Sequence, residues 1–174
     1  MKLEVLAIAT ALITVELITP AKAANPEQVN QLLRTNACRG CDLSGANLSG
    51  YSFISADLKD ANLQGANLKD AFLLLADLRN ANLEDANLTA VYMHRADLRN
   101  ANLSNASLPL ATLRSTIFMG ANLKGTNLLG ADLSYADLRK TNLENTNLQQ
   151  ANLLQAELKG ANLKGANLEG SYGR

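Results

Sequence analysis

Ala56-Asp57-Leu58-Lys59-Asp60-Ala61-Asn62-Leu63-Gln64-Gly65-Ala66-Asn67-Leu68-Lys69-Asp70 is three copies of one five-residue unit, A-(N/D)-L-x-x. The spacing extends in both directions without a slip. From Leu43 to Leu168 every fifth residue, 26 positions in all, is large and apolar: Leu at 23, and Phe53, Met93 and Phe118 at the others. The residue two before each is Ala at 19 of the 26, Thr at four, and Cys41, Tyr51 and Val91 at the rest. A period of five suits neither common element. On an α-helix, five residues advance about 500°, so successive leucines drift about 140° and share no face. On a flat strand an odd period throws them onto alternate faces. They reach one interior only if each pentapeptide forms one side of a closed coil and then turns, with successive coils stacked. The pattern therefore predicts an all-β solenoid.

The run 56–70 resembles the pentapeptide repeat family, and the resemblance covers roughly Cys38 to Gly170. It implies a right-handed quadrilateral β-helix with four pentapeptides per coil. The central Leu and the Ala two residues before it point inward, and the other three positions point outward. The repeats then make about 6.5 coils, a rod roughly 31 Å long at the spacing of paired strands. Thr126, Thr141 and Thr146 stand at inward Ala positions, so each hydroxyl needs a partner.

The two ends bound the solenoid. Residues 1–23 do not fit the repeat. Lys2, the apolar stretch Val5 to Val15 and the small-x-small Ala21-Lys22-Ala23 read as a secretory signal peptide, with Glu4 and Glu16 atypical of one. An uncleaved anchor is the alternative. Residues 24–36 read as a short N-terminal capping helix. Asn25 is the cap, Pro26 lies in the first turn and Gln28 stands three after the cap, while Val29, Leu32 and Leu33 share a face. The β-helix is expected over 37–170, followed by a tail, 171–174, with no comparable cap. The C-terminal coil is then a candidate homodimer edge, because an open coil exposes unpaired backbone.

Catalytic chemistry has little to stand on. Cys38-Arg39-Gly40-Cys41 is a Cys-x-x-Cys, open to a redox role, a half zinc site, free buried thiols or a disulfide. A thioredoxin-like motif needs a βαβ context. Zinc needs two further ligands, and the chain offers one His and no other Cys. In the repeat register Cys38 and Cys41 both occupy inward positions around one corner, which favours a structural disulfide, as does export. His94 is the single histidine and reads as a surface residue. No nucleophile is placed beside a base and no phosphate loop appears, so the expectation is a protein that is not an enzyme, with no cofactor and no metal.

Stacking residues 20 apart turns the sequence into a surface map. One face carries Asp57, Asp77, Asp97, Asp137 and Glu157 beside Lys59, Arg79, Arg99, Arg139 and Lys159. Two faces are mostly Asn, Ser, Gly and Gln. The fourth carries Ile54, Phe72, Leu74, Leu75, Tyr92, His94 and Arg95, edged by Arg114, and these are the candidate partner-binding residues. The reading that follows is a non-catalytic interaction scaffold that binds an unknown protein partner on that face. The signal-like start, the short helix and the Cys-x-x-Cys-Asp-Leu-Ser-Gly-Ala run resemble exported cyanobacterial and chloroplast-lumen members of the family, which implies thylakoid lumen or periplasm. The alternative is a DNA mimic that binds gyrase. Mimicry needs an acidic rod, whereas this chain has 16 basic and 16 acidic residues and a formal net charge of zero. No face is predominantly basic, so nucleic acid is not an expected partner.

Overall fold

A pentapeptide closes one side of a coil only if the chain bends after three extended residues. Every corner residue at this spacing, from Gly40 to Gly170, accordingly sits at positive φ. The computed structural model describes residues 24–173; residues 1–23, on which the expectation of a signal peptide falls, and Arg174 lie outside the described residues. Between the corners, the residue before each central Leu forms a parallel bridge with its copy 20 residues on, from Ala37 with Asp57 to Asn152 with Tyr172. The backbone bonds alternate in direction. The Leu63 N–H donates to the Asn82 carbonyl at 2.7 Å, and the Asn82 N–H donates back to the Ala61 carbonyl at 2.9 Å. The ladder through the bridging residues is thus closed coil to coil, and Leu63, Leu83 and Leu103 stack fully buried inside the rod.

The outward Asn of the repeat has a defined task. On one polar wall the Nδ2 groups of Asn82, Asn102, Asn122 and Asn142 each donate to the Oδ1 of the Asn one coil earlier, at 3.0–3.2 Å. The same oxygens accept the backbone N–H two residues on, as Asn62 does from Gln64 at 3.3 Å. The inward threonines find their partners too: Thr126 and Thr146 donate to the carbonyls of Leu103 and Leu123 at 2.8 and 2.7 Å, and Thr141 to Leu138 at 2.6 Å.

Helix α1 (Pro26–Thr35) lies over the first coil. The Asn25 side chain caps it by accepting from the N–H groups of Glu27 and Gln28, and Leu32 is buried against the core. Asn36 closes it at φ 55° and donates through Nδ2 to the Ile54 carbonyl at 2.8 Å. At the other end the coil runs past Gly170. Ser171 takes an inward position and donates to the Leu168 carbonyl, and Tyr172 bridges to Asn152. These residues continue the repeat because they match its register, not because of their composition.

Candidate partner-binding face

Three features separate one face of the rod from the rest. The first is exposed apolar surface. Phe72 and Tyr92 stack with ring centroids 4.9 Å apart and planes 7° from parallel. Each keeps about two-fifths of its surface in solvent, and Ile54 and Leu75 are about half exposed. Among the described residues nothing covers them. Tyr51, Tyr135, Leu154 and Tyr172 extend the exposed apolar run along the same side.

The second feature is the corner column. On the other faces most corners are Gly, Asn or Asp, the residues that best tolerate left-handed backbone. On this face they are Ser55, Leu75, Arg95, Ser115, Tyr135 and Gln155, all at φ between 55° and 61°. Each carries a strain of roughly 1 kcal/mol that a different residue would relieve. Ala90, Leu110, Lys140 and Gln150 hold the same conformation on other faces, so what distinguishes this column is that none of its six corners is Gly, Asn or Asp.

The third feature is charge. Of the six arginines in the coils, Arg39, Arg79, Arg99 and Arg139 lie within ion-pair distance of a carboxylate. Arg95 and Arg114 have no carboxylate partner among the described residues, and both are on this face. Arg114 instead lies over the Tyr135 ring at 4.8 Å. The Arg114 carbonyl can only accept, so the 2.9 Å contact from His94 places a proton on Nδ1 and leaves Nε2 directed elsewhere. The Ser134 hydroxyl, one coil beyond Arg114 in the same column, is buried with no hydrogen-bond partner among the described residues.

The structure therefore brings Ile54, Phe72, Leu74, Leu75, Tyr92, His94, Arg95 and Arg114 onto one side, as the stacking arithmetic predicts. It adds Tyr135 and Leu154, which the sequence reading missed. Carrying the 20-residue arithmetic two coils further would have found them. The charged face is different in kind. Arg79 and Arg139 each donate through Nε and Nη2 to the Asp two residues before, and these bonds hold the Asp77 and Asp137 carboxyls below the usual range. Asp60 is lowered chiefly by the Asn80 amide. A cleft of about 290 Å³ on that side is lined by Lys59, Arg79, Asn80, Arg99, Asn100 and Met119, with both arginines already held by their own carboxylates. Cys38 and Cys41 form a disulfide at the start of the coils. Among the described residues no group of three or more His, Cys, Asp or Glu is placed to hold a metal ion.

Sequence comparison agrees with the coil geometry. The family model for a pentapeptide repeat region matches residues 91–168, and that for pentapeptide repeats (8 copies) matches 37–70 and 56–95. The chain belongs to the pentapeptide repeat family. Among solved pentapeptide repeat structures, one from the thylakoid lumen of Arabidopsis thaliana is 34% identical with a TM-score of 0.51. The match covers 52% of this chain and 63% of that one, so the chain spans less than two thirds of the lumenal protein. HetL, a pentapeptide repeat protein involved in heterocyst differentiation regulation in the cyanobacterium Nostoc, is also 34% identical, covering 78% of this chain and 73% of its own, with a TM-score of 0.41. QnrB1, a plasmid-mediated fluoroquinolone resistance protein, shares the fold at 23% identity and a TM-score of 0.50, over 78% of each chain. No curated protein matches significantly. The pentapeptide repeat relatives imply that the coils form a right-handed quadrilateral β-helix.

Proposed function

We propose that this pentapeptide repeat protein is a non-catalytic scaffold of an extracytoplasmic compartment, thylakoid lumen or periplasm, that binds a protein partner on its aromatic face. The partner-binding residues are Ile54, Phe72, Leu74, Leu75, Tyr92, His94, Arg95 and Arg114. The observation that carries this reading is the corner column. Leu75 and Arg95 hold left-handed positions that Asn or Gly would fill with less strain, and both are exposed. Stacked aromatics rimmed by arginine match the make-up of interface hot spots. The Cys38–Cys41 disulfide and the lumenal relative support export. Self-association through the C-terminal coil belongs to the same reading. The backbone N–H groups of Leu158 and Leu163 find no acceptor among the described residues, and both side chains are only partly buried.

The test is a crosslinking pull-down from the source compartment, comparing the wild-type protein with Leu75→Asn/Arg95→Asn. The expected outcome is one stoichiometric partner with the wild type, lost in a variant whose thermal stability is equal or higher. Undiminished capture by the variant removes the face assignment, and recovery of DNA gyrase as the partner replaces the reading with the DNA-mimic one.

A further inference from the structure

Arg114 differs from its equivalents in one respect. It stands directly after a central Leu, as Arg79, Arg99 and Arg139 do. Each of those three follows an Asp by two residues and donates to its carboxylate through Nε and Nη2. Before Arg114 the same place is filled by Thr112. The molecule thus shows three times what an arginine at this position binds, and in the fourth case the chain does not supply it. The Arg114 guanidinium lies instead over the Tyr135 ring at 4.8 Å. That ring belongs to the next coil, so the side chain passes over Ser134, its neighbour there, which is only 2% exposed.

The polar groups around Arg114 are donors in want of acceptors. The N–H groups of Arg79, Arg99, Leu129 and Arg139, at the same position of the repeat, donate to Oδ1 of the residue two before. Those of Ile54, Leu74, His94 and Arg114 have no acceptor among the described residues. The carbonyls of that column are taken: Leu74 by Ser55, His94 by Leu75, and Arg114 by the Arg95 N–H at 3.1 Å and by His94 Nδ1. The Ser134 hydroxyl is a further donor. At Ser44, Ser49, Thr89 and Ser104 the hydroxyl donates to Oδ1 two residues before, at 2.7–2.9 Å. Asp132 stands there for Ser134 and accepts its N–H at 3.0 Å, yet the buried hydroxyl has no partner among the described residues. Arg95, joined to Arg114 by its backbone bond, adds a second guanidinium without a carboxylate. Positive charge and free donors together call for an oxyanion, whose lone pairs accept both.

We propose that Arg114, with Arg95 and the Ser134 hydroxyl, forms a subsite for one oxyanion, a carboxylate or phosphate group that comes from outside the chain. It plays the part that Asp77, Asp97 and Asp137 play for their own arginines. The inference rests on the assignment of this face only in making a partner the source of the group; a free ion binds without one.

The probes are sodium phosphate and sodium acetate, titrated into the folded protein at constant ionic strength against sodium chloride. The backbone amide NMR signals of Arg95, Arg114, Ser134 and Tyr135 are read. Saturable shifts at these signals with an oxyanion, absent with chloride, are expected, and the tighter of the two ions identifies the group. Arg114→Gln, and Thr112→Asp, which restores an Asp two residues before the arginine, should each weaken binding about tenfold. Ser134→Ala should weaken it about threefold with a Tm equal to or above that of the wild type. Circular dichroism verifies the fold of each variant. Phe72→Asn/Tyr92→Asn should bind the ion as the wild type does while losing the partner, so the subsite and the face assignment fail separately. Shifts that stay linear, or that chloride reproduces, show only screening of surface charge and overturn the subsite. Saturable binding that survives both Arg114→Gln and Thr112→Asp places the ion elsewhere and overturns it as well.

Discussion

Replacing Phe72 and Tyr92 by Asn separates a binding face from a covered core, because the structure gives both sides of the balance. The pair loses one stacking contact at 4.9 Å and the partial burial of two rings that stay about 40% exposed. Together these contribute about 2–3 kcal/mol. The substitutions restore the repeat residue. The N–H groups of Leu74 and His94 have no acceptor among the described residues, whereas Leu154, in the same column further along the rod, donates to Asn152 Oδ1 at 3.0 Å. Two such turn bonds form, and a third joins the two introduced amides across the coils, like the 3.0 Å bond from Asn67 Nδ2 to Asn47 Oδ1. At about 1 kcal/mol each, these offset the loss to within about 1 kcal/mol. The expected change in Tm is less than about 4 °C for a domain of this size. Thermal and urea denaturation followed by circular dichroism measure it, and the two variants should be compared singly as well as together. A loss above about 3 kcal/mol, or a drop in Tm beyond about 10 °C, refutes the reasoning and makes the rings part of the core.

The carboxyls of Asp77 and Asp137 are held low chiefly by side-chain hydrogen bonds from Arg79 and Arg139. Folded values below the unfolded value of about 3.9 mean that their stabilisation is complete above that pH and is lost as pH falls through the folded values. Tm should therefore be level from pH 7 to 5 and fall below about pH 4, with a shallower fall in Asp77→Asn/Asp137→Asn; an equally steep fall in that variant refutes the assignment. The Cys38–Cys41 bridge closes a very short loop, so its reduction should lower stability by about 2 kcal/mol, with the extra hydrogen exchange confined to α1 and the first coil. The untreated protein should also resist alkylation, and ready alkylation without reductant counts against the bridge. Sedimentation should detect a dimer that substitution of Leu163 by Lys dissociates, and a strictly monomeric species at high concentration refutes the C-terminal edge.

The solenoid is legible in the sequence because one physical requirement, an apolar residue at every inward position, is repeated until no other period fits. The Cys38–Cys41 bridge is legible for the same reason, since register alone turns both side chains inward. Other features are harder to read. The role of Asn62, Asn82 and Asn102 depends on hydrogen bonds between residues 20 apart, and composition shows only that the position is polar. The strain at Leu75, Arg95 and Tyr135 depends on φ at each corner, which hydrophobicity does not encode. The unpaired state of Arg114 depends on where Asp132 points: its Oδ1 accepts from Ser134 and Asn152 instead.

The 20-residue bridge spacing also defines an editing frame for the gene. Removing 20 residues shortens the rod by one coil, about 4.8 Å, and returns every later side chain to its own face. Removing five, such as 121–125, keeps every leucine inside yet turns all later surfaces by a quarter. Arg139 would then follow Arg114 in its column, and Tyr135 would move to the corner column of Leu110. Removing one residue sends polar side chains inward from that point on. Length, surface pattern and core are thus addressed by different deletion sizes, and a lineage of such proteins can rearrange its docking surfaces in steps of five residues without rebuilding the interior.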